Sequence, residues 1–103
     1  MITVLFEYKL EKKYLEDFKA RLKKSASSKF QSEPSNIGMN FMQREDDQFY
    51  YINLFIKYRN VEEYEERTKF ERSQDEWNET WFSDDLTHEL LSVTIWKDFS
   101  PMS

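Results

Sequence analysis

Apolar and polar residues alternate through ITVLFEYKL, residues 2–10, so that Ile2, Val4, Phe6, Tyr8 and Leu10 share one side. A period of two predicts a strand. The period then changes. In EKKYLEDFKARLKKSASS, residues 11–28, Tyr14, Leu15, Phe18 and Leu22 recur at helical spacing. Lys and Arg gather toward the C-terminal end of that stretch, where the helix dipole favours cations. The Ser-rich SASSKFQSEPSN reads as a loop, and Pro34 bars a helix from running through it. IGMNFMQR and FYYINLFIKY read as strands on either side of a hairpin turn at EDDQ, and LLSVTIWKDF reads as a last strand. The order is β-α-β-β-α-β, the split pattern of ferredoxin-like folds. It predicts one α+β domain over residues 1–103, with a four-stranded antiparallel sheet.

The stretch VEEYEERTKFERSQDEWNETWFSDD, residues 61–85, carries two apolar faces that disagree. Read as one helix, it places Val61, Tyr64 and Thr68 on one side and Phe70, Trp77 and Trp81 nearly opposite. Two start signals account for this. Asn60 stands where an N-cap belongs, with Glu63 three residues on. SQDE offers a capping box between Ser73 and Glu76. Two helices follow, over about residues 61–69 and 74–82, with residues 70–73 leaving helical geometry. The competing explanation is one continuous helix whose second stripe a partner chain covers.

Helices cover one face of such a sheet. The most apolar set belongs there: Ile2, Val4, Phe6 and Tyr8, then Tyr50, Ile52, Leu54 and Ile56, then Val93 and Ile95. The opposite face of a monomer should be polar. Here it carries Leu5, Phe49, Tyr51, Phe55 and Trp96 among Thr3, Glu7, Asn53 and Thr94. An apolar patch of this kind marks an interface, and two such sheets stacked around a two-fold axis would bury it. Leu5, Phe49, Tyr51, Asn53, Phe55 and Trp96 are therefore the expected homodimer contacts.

Composition changes this picture in three places. Nine Phe, six Tyr and three Trp stand beside a single glycine, so large rings must fill the interior or an interface. No cysteine is present, which excludes disulfides and thiolate chemistry. With that, the lack of a signal-like or membrane-spanning run points to a cytoplasmic protein without membrane contacts. The net charge of -5 argues against nucleic acid as a partner. Ten of the twenty acidic residues fall between Glu62 and Asp85, where they read as a solvated helix face rather than as isolated carboxylates with raised pKa. The only histidine, His88, sits in DDLTHEL and reads as a solvated loop residue, four positions from Asp84. One histidine and no cysteine leave neither a metal site nor a Ser-His-Asp arrangement. One glycine leaves no phosphate loop.

The β-α-β-β-α-β order, the broken second helix, the aromatic second sheet face and the segment NVEEYEERTKFERSQDEW resemble the dimeric α+β barrel superfamily, and within it antibiotic biosynthesis monooxygenase-like domains. The resemblance covers nearly the whole chain in topology. It implies a homodimer and a pocket between sheet and helices that takes a hydrophobic or aromatic small molecule. Tyr8, Asn40, Tyr50, Tyr58, Tyr64, Trp77 and Trp81 are the expected lining residues. The superfamily's haem-degrading members place a histidine ligand on the second half-helix, where this chain has Gln74 and Trp77, so neither haem nor another cofactor is expected. The alternative reading is a cofactor-free monooxygenase acting on an aromatic substrate, with the same Tyr/Trp pocket. A cavity between sheet and half-helices separates the two, since rings that fill that space themselves leave no room for chemistry on a ring system.

Overall fold

A computed structural model describes residues 1–101. The first strand is β1 (Ile2–Glu11), followed through a short turn by helix α1 (Leu15–Ser25). A hairpin of β2 (Gly38–Glu45) and β3 (Phe49–Tyr58) comes next. Helices α2 (Val61–Arg72) and α3 (Asp75–Trp81) then lead to β4 (His88–Lys97). The sheet order is β2-β3-β1-β4, and every neighbouring pair is antiparallel. The α+β class and the four-stranded antiparallel sheet are those expected from the alternation.

Each element has a local cause. At the β2–β3 turn the Asp46 carboxylate accepts from the backbone N–H of Gln48 and Phe49 and from the Tyr51 hydroxyl. Such an Asx turn closes a hairpin without glycine. Asn60 caps α2, its side-chain oxygen accepting from Glu63 N at 2.8 Å. The break in the second helix is real and falls at Ser73 and Gln74, three residues beyond the start of the expected interval. Its chemistry differs from the expected capping box. Ser73 closes α2, its hydroxyl donating to the Phe70 carbonyl, while Gln74 precedes α3 without a side-chain cap. Glu76 pairs with Lys29 instead of reaching back to Ser73.

The register confirms both face assignments. Val4 lies opposite Ile56 and Ile95, and Phe6 opposite Leu54 and Val93, on the side of the helices. Leu5 pairs with Phe55, and Thr3 with Trp96, on the other side. One irregularity shifts the last strand. Glu7 pairs with Ser92 but Tyr8 pairs with Leu90, leaving Leu91 as an extra residue. This bulge changes the parity of β4, so that His88, not Glu89, turns toward the helices. His88 is accordingly buried, which corrects the expectation of a solvated loop residue.

Two apolar clusters hold the helix side together. Tyr8, Leu10, Phe18, Ile52 and Leu54 form one; Ile2, Val4 and Tyr58 form the other. Phe6 and Ile56 are partly buried and touch both. The helices stop short of the sheet's edges: Phe41 on β2 and Val93 and Ile95 on β4 stay exposed, although they lie on the helix side. The molecule is correspondingly flat, with extents of 46 × 33 × 20 Å and a radius of gyration of 14.7 Å. A compact chain of this length has about 13 Å.

Candidate functional site

At the His88 end of the sheet, rings pack on rings. Trp81 lies 5.9 Å from Tyr8, 6.0 Å from Phe18 and 5.3 Å from His88, centroid to centroid. Trp77 lies 5.3 Å from Phe30 and 6.4 Å from Trp81. The indole N–H of Trp81 donates to the Ser25 hydroxyl, so its polar edge is satisfied within the protein. Trp77 and Trp81 thus act as the filling between α3, α1 and the sheet. His88 meets Tyr8, Phe18 and Trp81 edge-on, and its Nδ1 is buried without a hydrogen-bond partner. Burial, and then the nearby Arg21 charge, lower its pKa to about 4, with Asp17 opposing. The imidazole is therefore neutral at ordinary pH.

Along α2 the chemistry is different. Val61 and Tyr64 pack on the smaller cluster, with the Tyr64 and Tyr58 rings 5.3 Å apart. The next inward positions hold Arg67 and Glu71. Arg67 is 5% exposed, the one fully buried residue of the helix. Its Nε donates to Glu71 Oε2 at 3.1 Å, and its Nη1 donates to the Ser32 carbonyl at 2.5 Å. Nη2 donates to the Phe30 carbonyl. Nη1 also reaches the Pro34 carbonyl at 3.5 Å, so the guanidinium ties the loop before β2 to α2. Burial raises the Glu71 carboxyl pKa against the opposing pull of Arg67.

The Glu71 charge is felt by three tyrosines. Tyr8, Tyr58 and Tyr64 all lie within its electrostatic reach, and all have pKa values raised, first by burial and further by the Glu71 charge. Tyr8 is 8% exposed and Tyr58 is 4% exposed, yet neither hydroxyl hydrogen-bonds to another described residue. Neither oxygen is among the buried unpartnered atoms, so the rings are buried while the hydroxyls reach solvent. Tyr8 and Tyr58 stand at opposite ends of β1's buried face, Tyr58 opposite Ile2 and Tyr8 opposite Ile52, with Phe6 and Ile56 between the two clusters.

The expected lining residues divide. Tyr58 and Tyr64 meet ring to ring, while Tyr8 packs in the aromatic group with Phe18, Trp81 and His88. Trp77 and Trp81 belong to the aromatic packing. Tyr50 lies opposite Leu10, against the larger cluster, with the Lys12 ammonium 5.5 Å from its ring centre. Asn40 pairs with Phe55 and is exposed on the opposite sheet face, so it is no part of a pocket under the helices. Leu5, Phe49, Tyr51, Asn53, Phe55 and Trp96 do share that opposite face. There Arg44 stacks over Tyr51 at 4.0 Å and Lys9 over Phe49 at 4.2 Å.

Arg67 and Glu71 escaped the sequence reading because they sit inside a run of charges. A signal was present: positions 64, 67, 68 and 71 follow helical spacing from Tyr64 and place both residues on its face. The chain matches no protein-family model, no curated protein and no solved structure.

Proposed function

We propose that the protein is a homodimer of the dimeric α+β barrel kind that binds a small hydrophobic or aromatic molecule at the seam between α2 and the sheet. One observation carries the binding site: the partly desolvated Glu71 carboxylate on the inner face of α2 acts on Tyr8, Tyr58 and Tyr64, whose rings form part of the apolar helix side of the sheet. An apolar floor with a few convergent polar groups is the usual make-up of a ligand site. Trp81 touches Tyr8 and gives the test its signal. Titration with small phenyl compounds should change tryptophan fluorescence saturably, and Tyr8→Phe should weaken the effect. A panel of such compounds with no saturable response would sink the binding reading.

Area supports the dimer. The chain exposes 7196 Å², whereas a compact monomer of its mass exposes about 6,200 Å². The excess, about 1,000 Å², is close to the roughly 800 Å² that each partner buries in a standard interface. The aromatic open face supplies an apolar surface of the right kind, and its contact would be isologous. Sedimentation equilibrium at micromolar concentration should give twice the chain mass, and Phe55→Asp should shift it toward the monomer. A wild-type monomer, or a Phe55→Asp variant that stays dimeric, would place the contact elsewhere or nowhere.

The second reading, a cofactor-free monooxygenase, draws on the same carboxylate but loses support at α3, where Trp77 and Trp81 fill the space themselves. Burial that raises the Glu71 pKa makes its carboxylate a stronger base than a solvated one. One atom of O2 would enter the substrate, and the other would leave as water with two substrate hydrogens. Oxygen uptake that depends on an added aromatic substrate and is lost in Glu71→Gln would select this reading over plain binding.

A further inference from the structure

We propose that the free edge of β4 pairs with β4 of a second copy, antiparallel and centred on Val93, so that two sheets run on as one. This surface is separate from the open face that carries the dimer reading above. β4 stands at one end of the order β2-β3-β1-β4, so among the described residues no strand lies along its outer side. Such an edge is a template for another strand unless charge, proline, a bulge or a covering element blunts it. Residues 92–96 read SVTIW, with neither charge nor proline, and the bulge at Leu91 lies before this run. Apolar side chains stand exposed on both faces. Val93 and Ile95 are 42% and 46% exposed on the helix side, and Trp96 is 59% exposed on the other. The opposite edge is better protected, since β2 carries Asn40, Gln43, Arg44 and Glu45.

The occupant is a second copy because β4 complements itself. Its two charged residues, Glu89 and Lys97, stand four positions before and four positions after Val93. An antiparallel copy centred on Val93 brings the Glu89 end of each strand beside the Lys97 end of the other. A parallel copy would set like charges together, which is unfavourable between neighbouring strands. The bulge leaves Glu89 and Lys97 on different faces, so the attraction acts between strand ends and not through one fixed ion pair. A two-fold axis normal to the sheet closes the contact after two copies. It sets the two exposed Val93 side chains side by side, and places Ser92 of each copy opposite Thr94 of the other.

The absence of cysteine makes the pairing directly readable. Val93→Cys, Thr94→Cys and Ile95→Cys all alter exposed positions and should leave the fold intact. A residue faces its own counterpart only on the axis. Each step away from it separates the two counterparts by about 7 Å more along the strands, beyond the reach of a disulfide. Oxidation with copper–phenanthroline at sub-millimolar protein, read on a non-reducing denaturing gel, should convert most of Val93→Cys to a covalent dimer. The yield should exceed those of Thr94→Cys and Ile95→Cys by about fivefold or more. It should persist when Phe55→Asp is added, because the two surfaces are separate, and fall when Ile95→Lys is added, because a charge then blunts the edge. No cross-link, equal yields at the three positions, a maximum away from Val93, or loss of the cross-link with Phe55→Asp overturns the edge pairing. A wild-type dimer without the Val93 cross-link removes this inference and leaves the face-to-face reading. A Val93 maximum with a Phe55→Asp variant still dimeric at micromolar concentration supports the edge and removes the face.

Discussion

The two regions that cover the sheet use opposite chemistry. Where α1 and α3 meet it, Phe18, Trp81, Tyr8 and His88 interlock, and Phe18 is 0% exposed. Where α2 meets it, the inward residues are Tyr64, Arg67, Thr68 and Glu71, and only Arg67 is fully buried. The first region is closed by ring packing, with the His88 Nδ1 and the Asn78 Oδ1 buried without partners. The second is closed by a committed ion pair that leaves phenol hydroxyls and a carboxylate oxygen open. Stability should therefore concentrate in the first region and ligand chemistry in the second. Tyr8 belongs to both, with its ring in the aromatic packing and its hydroxyl within reach of the Glu71 charge.

The comparison breaks most readily at Phe18. Phe18→Ala should cost about 3–5 kcal/mol, because large-to-small changes in a dense core lose transfer energy and leave a cavity. Urea unfolding would measure it, and a loss under about 1 kcal/mol would mean that the aromatic region is looser than its ring contacts imply. Arg67→Ala tests the other side. It should cost about 3 kcal/mol, since it strands the Glu71 charge and the carbonyls of Phe30 and Ser32. A neutral outcome would show that the ion pair is not what closes α2 on the sheet.

His88 sharpens the contrast through pH. Its pKa falls from 6.5 to about 4 in the folded protein, so the folded state binds fewer protons than the unfolded chain between those values. The stabilisation from neutral His88 is whole above pH 6.5 and is lost as pH falls toward about 4. At pH 5 the loss should be on the order of 2 kcal/mol. Glu71 has the opposite sign: its raised pKa makes the folded state hold its proton longer, so stability falls as pH rises through its titration. Chemical unfolding across this range, repeated with His88→Leu, isolates the histidine. An unchanged acid slope in the variant would assign the loss to other groups.

The smallest expected effect is the most telling about the seam. Tyr58→Phe removes a hydroxyl that has no protein partner, so stability should change by less than about 1 kcal/mol. A larger loss would mean that the hydroxyl is held by a contact within the protein rather than kept for a ligand.

Much of this architecture was legible before any coordinate. Strands with a period of two, the Asn60 cap and the broken second helix follow from residues near one another in the chain, and the face assignments follow from parity. Parity also explains the clearest miss. One extra residue at Leu91 turns His88 inward, and nothing in DDLTHEL marks a bulge. The Ser73 capping box failed for a similar reason: a hydroxyl can bond forward or back, and here the Phe70 carbonyl was the available partner.

By itself, then, the sequence determined the order of elements, the two faces of the sheet and the aromatic filling, because each depends on spacing along the chain. Only the tertiary structure decided which charges go inside. Glu71 is one of ten acidic residues in its stretch. It is set apart by the carbonyls of a loop more than thirty residues away, which hold Arg67 beneath the helix. That selection depends on distances between segments remote in sequence, and a desolvated charge is tolerated only where its partners are already in place.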